Sequence, residues 1–433
     1  MSQESDLRAD SNLMKLNAGV RILWEHPGIG GVVAQISNLL YRRFSTCGPE
    51  NNPVHFEMGT VSRLEIGDTA DWKSALPVLG DRTISRLSAS AGALAICCAF
   101  ALTGCQSTRP PGTPVHRSGD EIVAAGKYFH IGTRVVLWTD PGGYDAYRVE
   151  RRFSPIDESA WETSKFKVKD LSTPNRYGLR RSALSAEQAE RARGGGWDLP
   201  LLQQVVDQFV IHFDASGTSR QCFKVLHDVR GLSVHFMLDL DGTIYQTLDL
   251  KERAWHATTS NSRSIGIEIA HVGAFPPDAA TRAQEWYQHR DSGPPLITIP
   301  DSYGDGGQRT KGFAGRPARP EPIRGNIQGR DLEQYDFTPE QYRALVRLTA
   351  ALCRMFPKIK CDYPRDSAGR LVTVKLPDDE LQNYAGLLGH FHIQTNKVDP
   401  GPAFQWDHVV DGASALLRTS RDKPAARHIR SSR

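Results

Sequence analysis

Residues 207–213, which read DQFVIHF, carry the prediction of the fold. A short apolar run bounded by polar residues is typical of a buried β-strand. The imidazole of His212 interrupts this run. A single strand histidine is more often a hydrogen-bonded core residue than a metal ligand. The strand alone therefore leaves both interpretations of His212 open.

The segments that follow predict further strands of the same sheet. Residues 232–240 form one arm of a hairpin, Asp241 and Gly242 make the tight turn, and residues 243–248 return as the second arm. Residues 264–269, SIGIEI, place the carboxylate of Glu268 among isoleucines. Burial disfavours the charged form of a carboxylate and moves its pKa toward the working range of a general base. Glu268 is therefore a candidate catalytic base.

A loop near the C-terminal end supplies a candidate metal site. Residues 389–402 read GHFHIQTNKVDPGP and hold two histidines, a lysine and an aspartate. A distant strand histidine, combined with a histidine and the aspartate of this loop, gives a ligand set of two nitrogens and one oxygen. Zinc with an open fourth position for water suits such a set.

Two helices are predicted beside these strands. Thr338, Pro339 and Gln341 form a helix start with a capping box, and an apolar face continues through residues 342–356. A second helix is predicted over residues 378–388. The predicted fold class is α/β (α+β), with a mixed central β-sheet of about five or six strands flanked by helices. The zinc site is expected at one edge of the sheet, in an open groove.

Six motifs in collinear order identify a family resemblance: VIHF, HFMLDLDGTIYQ, RAWHA, SIGIEI, GHFH and KVDPGP. They resemble the type-2 N-acetylmuramoyl-L-alanine amidases, zinc enzymes of bacterial cell-wall turnover that are related to phage amidases and animal peptidoglycan recognition proteins. The likeness covers about half of the chain, residues 200–412. It implies one zinc ion, peptidoglycan or muropeptides as substrate, and hydrolysis of the amide between N-acetylmuramic acid and L-alanine.

The resemblance assigns roles by position. It implies that His212, His390 and Asp399 are the zinc ligands. Glu268 matches the glutamate that activates water, and Lys397 matches the family's catalytic lysine two residues before the aspartate ligand. This set favours an enzyme over the alternative, a non-catalytic peptidoglycan-binding module of the same fold. A different metallohydrolase on the same ligands is a third interpretation, but paired-metal phosphoesterases need more clustered carboxylates.

Three further residues are predicted to contact substrate. His256 and Trp255 belong to the AWHA motif, and a purely structural role for His256 is the alternative. His392 is not required by the family pattern. On a strand it would share a face with His390 and could compete as a ligand, but a role behind the ligands or in the groove is preferred.

Residues 274–335 lie between the Glu268 strand and the next helix and are rich in proline, glycine and arginine. They are predicted to be a surface loop, either a groove rim or simply mobile.

The N-terminal part of the chain resembles a bacterial lipoprotein signal. Arg82 and Arg86 precede an apolar stretch over residues 87–102, and LTGC ends at Cys105. The stretch is shorter than the roughly 20 residues that a membrane-spanning helix needs. A buried core helix is the alternative to a signal peptide. We expect residues 81–105 to be a signal peptide with a lipobox. Lipid on Cys105 would then hold the protein at the periplasmic face of the cell envelope, on the outer membrane.

The remaining segments complete the predicted organisation. Residues 1–80 show no usable periodicity and are expected to be a disordered or untranslated leader. A proline-rich tether is predicted over 106–121 and an N-terminal flank over 122–200, with strands at 133–137 and 147–152 and a polar helix at 184–194. The zinc amidase domain is predicted over 201–418 and a disordered basic tail over 419–433.

Composition narrows the function further. The 433 residues carry 53 Lys+Arg and 49 Asp+Glu, a balance that argues against a dedicated nucleic-acid binder. A monomer is expected. Cys353 and Cys361 could form a disulfide in an oxidising periplasm, although spacing alone does not decide it.

Overall fold

The computed structural model describes residues 110–163, 171–279, 281–289 and 293–421. The chain divides into two compact units, Met1–Gln106 and Ser107–Arg433, and every described residue belongs to the second. The predicted leader and the signal peptide with Cys105 lie outside the described residues, as does the tail beyond residue 421. Within the described part, no helix is both long and apolar enough to cross a bilayer.

The secondary structure of the described residues is as follows. The strands are β1 (Glu121–Ala124), β2 (Lys127–His130), β3 (Val135–Leu137), β4 (Gln208–Phe213), β5 (Phe236–Leu238), β6 (Ile244–Gln246), β7 (Ser264–Ile269), β8 (Tyr287–Gln288), β9 (Leu296–Ile297), β10 (Ile323–Ile327), β11 (Arg330–Gln334) and β12 (Gly386–Gly389). The α-helices are α1 (Ala186–Arg191), α2 (Leu199–Val205), α3 (Ser219–Phe223), α4 (Thr281–Trp286), α5 (Pro339–Met355), α6 (Asp378–Asn383) and α7 (Trp406–Arg421).

A six-stranded mixed sheet forms the centre of the fold, in the order β12-β4-β7-β5-β6-β3. Neighbouring strands are parallel except for the antiparallel pair β5–β6. Phe209, Ile211 and Ile267 are fully buried, as expected for central parallel strands covered on both faces. The predicted fold class is confirmed.

The helix predicted at residue 338 is confirmed at its first turn. The Thr338 side chain accepts a hydrogen bond from the backbone N–H of Gln341, and the Gln341 side chain accepts one from the backbone of Thr338. This capping box satisfies donors that the helix leaves free. Tyr342, Leu345 and Leu352 on α5 are buried in the main core, so the helix covers one face of the sheet.

The helix predicted over residues 378–388 is wrong in its second half. α6 ends at Asn383, and residues 386–389 form β12, which pairs in parallel with β4. Gly386 has a φ of +152°, and a Cβ there would lie 2.8 Å from the carbonyl oxygen of Asp362. The apolar LLG run is too short to distinguish a helix from a strand by periodicity. The segment is a strand because it pairs with β4 at the edge of the sheet.

One strand of the N-terminal flank, β3, joins the central sheet as an edge strand and pairs with β6, whereas β1 and β2 pair with each other in a separate hairpin. The strand predicted over residues 147–152 is absent from the described structure. Side chains take the backbone groups that a strand would use: Arg176 donates to the carbonyls of Arg148 and Val149. Asp228 accepts from the N–H groups of Arg152 and Phe153, at 2.9 and 2.8 Å.

The prediction that residues 274–335 are a surface loop is also wrong. The described residues of this insertion form α4 and two hairpins, β8–β9 and β10–β11. Trp286, Ile327 and Leu332 are buried, and the last two belong to the main core. The proline and glycine content predicted the turns of this segment but gave no sign of the short strands between them.

Cys353 and Cys361 are both free thiols in the structure. Their side chains interact with each other, and the Cys361 thiol also accepts a hydrogen bond from Ser414. Their oxidation to a disulfide stays a prediction.

Candidate metal centre and active site

Three ligand atoms from distant parts of the chain meet at one point. His212 Nδ1 lies 2.8 Å from Asp399 Oδ2 and 3.0 Å from His390 Nδ1. His390 Nδ1 lies 3.1 Å from the same Asp399 oxygen. All three residues are buried, and they form a group that could hold one metal ion.

The sheet brings the two histidines together. β12 and β4 are parallel neighbours, with Gly389 opposite Ile211. His212 follows Ile211 within β4, and His390 is the first residue after β12, so both imidazoles lie at the same end of the sheet. Asp399 returns from the following loop, where Phe391 N–H donates to the Asp399 carbonyl at 3.3 Å.

The donor chemistry fits zinc. His390 Nε2 lies 2.6 Å from Gln394 Oε1, an oxygen that can only accept. A proton on His390 Nε2 satisfies this contact and would leave the Nδ1 lone pair for a metal ion. A buried set of two imidazole nitrogens and one carboxylate oxygen matches the ligand preference of zinc, and an outward hydrogen bond on the second ring nitrogen is typical of metal-ligating histidines.

His256 supports the other ligand histidine. Its Nδ1 lies 3.0 Å from His212 Nε2, and its Nε2 lies 3.3 Å from Ser264 Oγ. With a proton on Nε2 of both His212 and His256, His212 donates to His256 and His256 donates to Ser264. The Nδ1 lone pair of His212 would then be available to a metal ion. Gly266 makes room for the ring, because a Cβ there would lie 2.4 Å from the His256 imidazole. These contacts favour the structural role of His256; its contact with substrate stays a prediction.

The ionisation states suit metal binding. Burial and the neighbouring His390 together lower the pKa of His212 to about 4, although Asp399 acts in the opposite direction. His212 is therefore neutral at neutral pH, as a ligand must be. Burial alone would raise the pKa of Asp399, but His390 and His212 hold it well below its ordinary value. The Asp399 carboxyl is therefore ionised at neutral pH, the state that metal binding requires.

Glu268 lies beside His212, since the two residues are register partners on β7 and β4. Its Oε2 is buried with no hydrogen-bond partner. Burial raises the pKa of Glu268 well above its ordinary value, and the charges of Asp399 and Asp214 add to this, while Lys397 acts in the opposite direction. A carboxylate held in this way is available to take a proton.

The remaining predicted site residues are Lys397 and Trp255. Lys397 is half-buried in the loop that carries Asp399, and its charge acts on both His212 and Glu268. Trp255 is half-buried, with the guanidinium carbon of Arg253 4.0 Å from the centroid of its ring. The catalytic role of Lys397 and the substrate contact of Trp255 stay predictions.

The prediction of a groove role for His392 is wrong. Residues His390–His392 form a 3₁₀ turn rather than a strand, so the two histidines do not share a face. His392 is fully buried. Its Nδ1 accepts from Gly389 N–H at 2.9 Å and its Nε2 donates to the Val372 carbonyl at 2.7 Å. No atom of the ring is left for substrate or metal.

Sequence reasoning missed the residues behind the ligands. Gln394 is one helical turn after His390, a spacing at which side chains meet, and this could have indicated the contact. Ser264 carries no such signal, because its partner His256 lies on a separate loop.

A cavity of about 630 Å³ lies at the other end of the strands and is lined by Asp207, Gln208 and Arg263, among others. These residues begin β4 and β7 or precede them, whereas His212 and Glu268 lie near the ends of the same strands. The cavity is therefore separate from the metal cluster.

One family of known proteins matches the part of the chain that contains His212 and Glu268. Residues 202–291 match the N-acetylmuramoyl-L-alanine amidase family Amidase_2. The match includes His212, His256 and Glu268 but ends before His390 and Asp399, and it spans less than half of the chain. No curated protein matches the chain significantly.

Solved structures show weak overall likenesses. A selenomethionine derivative of AmpD is 17% identical, covers 57% of this chain and 92% of its own, and has a TM-score of 0.25. The Escherichia coli amidase AmiD, in complex with anhydro-N-acetylmuramic acid-L-Ala-D-gamma-Glu-L-Lys, is 18% identical over 48% of this chain and 57% of its own, with a TM-score of 0.28. The Clostridium intestinale endolysin LysCS is 14% identical over 50% and 86%, with a TM-score of 0.24. Likenesses of this size carry no argument about the site.

Proposed function

We propose that this chain is a zinc-dependent N-acetylmuramoyl-L-alanine amidase that acts on peptidoglycan or muropeptides in cell-wall turnover. The observation that carries the proposal is the meeting of His212, His390 and Asp399 beside Glu268. The match of residues 202–291 to the amidase family supports it.

The residues of the chain divide the work of amide hydrolysis. His212, His390 and Asp399 would hold the zinc ion, which supplies Lewis-acid polarisation of the scissile carbonyl and activation of water. Glu268 takes a proton from the attacking water and passes it to the leaving nitrogen. The Lys397 ammonium stabilises the negative charge that develops on the carbonyl oxygen, a contribution on the order of 3 kcal/mol for one donor. The products are the lactyl carboxylate of N-acetylmuramic acid and a peptide with a free L-alanine amino group.

A non-catalytic peptidoglycan-binding module is the second candidate. It would need neither a carboxylate with a raised pKa next to the metal cluster nor a lysine acting on it. Both are present, since Glu268 carries an unpartnered buried oxygen and Lys397 acts on it electrostatically. These two residues favour the enzyme.

The deciding experiment uses purified full-length protein loaded with zinc, together with soluble muropeptides and intact sacculi. We expect mass spectrometry to find peptides that begin with L-alanine and a sugar with a free lactyl carboxylate. Chelation of the metal should stop their release and added zinc should restore it. Binding to sacculi without any release would replace the amidase proposal with the binding module.

We also propose that the protein is a lipoprotein of the cell envelope, anchored through Cys105. The apolar stretch before LTGC supports this. Cys105→Ser should give an uncleaved precursor that takes up no labelled fatty acid, because the thiol is the attachment point. Cys353→Ser, a change at a free thiol of the folded domain, is the control and should label normally. Equal labelling of the Cys105→Ser variant and the unchanged protein would contradict the anchor.

A further inference from the structure

The insertion over residues 274–335 contacts the segment that carries two of the metal ligands. We call residues 389–403 the metal-ligand loop, because they include His390 and Asp399. The β10–β11 hairpin meets this loop through the side chains of two glutamines, Gln328 at its turn and Gln334 at its end. We propose that the hairpin holds the metal-ligand loop in the conformation that brings His390 and Asp399 together, and that Gln328 and Gln334 are positioning residues for the zinc site. We call the hairpin in this role the splint.

Gln334 holds the Asp399 side of the loop. It is buried, with 2% of its surface exposed. Its Nε2 donates to the Pro400 carbonyl at 3.0 Å, and its Oε1 accepts from Ala403 N–H at 2.9 Å. The carboxamide therefore bridges two backbone groups that lie one and four residues after Asp399.

Gln328 holds the His390 side of the loop. Its Nε2 donates to the Phe391 carbonyl at 2.6 Å and to the Gln394 carbonyl at 3.2 Å. Gln394 is the residue whose side chain accepts from His390 Nε2. The two glutamines thus reach the loop next to both of its ligands.

The backbone of the turn indicates that the Gln328 side chain is needed. Gln328 and Gly329 form the two-residue turn between β10 and β11, with φ of +54° and +72°. Two positive φ values are typical of a turn that favours Asn-Gly or Gly-Gly, and a glutamine at the first position is disfavoured. A residue kept in a disfavoured conformation points to a contact that only its side chain can make.

The hairpin and the loop are also in close backbone contact. A Cβ on Gly401 would lie 2.1 Å from Gln334 Oε1, and a Cβ on Gly325 would lie 2.7 Å from Pro402 Cβ. Ile327 and Leu332 fix the hairpin in the main core. The splint is therefore rigid, and side chains on rigid elements place ligands more precisely than loops alone.

Three variants of the full-length protein test the proposal. Gln334→Ala removes the bridge. Gln328→Gly removes the other side chain and also relieves the disfavoured turn, so it separates positioning from stability. Asn326→Ala is the matched control, because its exposed carboxamide bonds only within the same hairpin, to Asp331 at 2.8 Å. Each protein is stripped of metal and titrated with zinc in competition with a chromophoric chelator, and hydrogen exchange of residues 386–403 is followed in the metal-free state.

We expect the zinc dissociation constant to rise about 10- to 100-fold in Gln334→Ala and at least about tenfold in Gln328→Gly, the effect typical of groups behind metal ligands. Exchange of residues 386–403 should accelerate in both, and the thermal midpoint of Gln328→Gly should fall less than that of Gln334→Ala, because relief of the disfavoured turn offsets part of the lost hydrogen bonding. Asn326→Ala should match the unchanged protein in all three measurements. Should Gln334→Ala fail to fold, Gln328→Gly decides the matter. Zinc affinity and exchange equal to those of Asn326→Ala would overturn the splint.

The splint rests on the metal site of the proposed function, but the two fail differently. If zinc affinity depends on the glutamines while no peptide is released from muropeptides, the splint stands and the amidase proposal falls. If peptides are released normally and zinc affinity is indifferent to both glutamines, the amidase proposal stands and the splint falls.

Discussion

Glu268→Gln is expected to keep zinc and to lower kcat on muropeptides by roughly 10²- to 10⁴-fold, the contribution of a positioned general acid-base group. Glutamine has nearly the shape of glutamate but cannot take the proton of water. Glu268 is not one of the three converging ligands, so metal content should be unchanged. The measurement pairs zinc analysis with the release of peptides that begin with L-alanine.

The stability of the same variant provides an internal check. Burial raises the pKa of Glu268 well above its ordinary value, so in the metal-free protein its ionisation opposes folding once the pH exceeds the pKa of an unfolded glutamate, about 4.3. The amide removes this cost. The metal-free variant should therefore melt no lower than the unchanged protein at neutral pH. Glu285→Gln, at an exposed position on α4, is the control and should change neither the turnover nor the melting temperature. Near-normal turnover in Glu268→Gln would exclude the proposed base.

His212→Ala is expected to abolish both zinc binding and turnover. His212 supplies one of the three converging ligand atoms from a buried strand position. Without it, the site has one ligand fewer than the three that catalytic zinc sites use. Added zinc should not restore activity. Metal content is measured after dialysis against zinc at the concentration that saturates the unchanged protein.

His392→Ala separates the two histidine assignments. It should keep zinc but lower the free energy of unfolding. Loss of the ring leaves the buried Gly389 N–H without its partner, at a cost of about 1–3 kcal/mol, and also frees the partly buried Val372 carbonyl. If His392→Ala loses zinc and His212→Ala retains it, the ligand set is wrong.

Much of the sheet could be predicted because its strands have clear local patterns. Residues 264–269 form β7 at the predicted bounds, and the capping box at Thr338 marks the start of α5. The errors occur where tertiary contacts override the local pattern. β12 was predicted as helix because an apolar run of this length fits both states, and pairing with β4 is not visible in its own sequence.

The site was predictable as far as the family motifs extend. His212, His390 and Asp399 converge as that resemblance implied. The positioning contacts were not predictable, because Gln328 and Gln334 lie in an insertion outside every motif and reach the loop only after the hairpin packs in the core. His392 was misplaced for a local reason: alternation along a strand was assumed where the chain turns into a 3₁₀ turn.

The two ligand histidines are 178 residues apart in the chain, although their Nδ1 atoms lie 3.0 Å apart. During synthesis, β4 is therefore made long before β12. The edge of β4 that pairs with β12 has no β12 partner until that late part of the domain is made. Contacts of such high sequence separation close late and slowly. A chain that is cut before β12 retains one ligand of three. Stoichiometric zinc uptake would thus require a chain that extends at least to Asp399, and a chain that ends before β12 could not hold the ion with all three ligands.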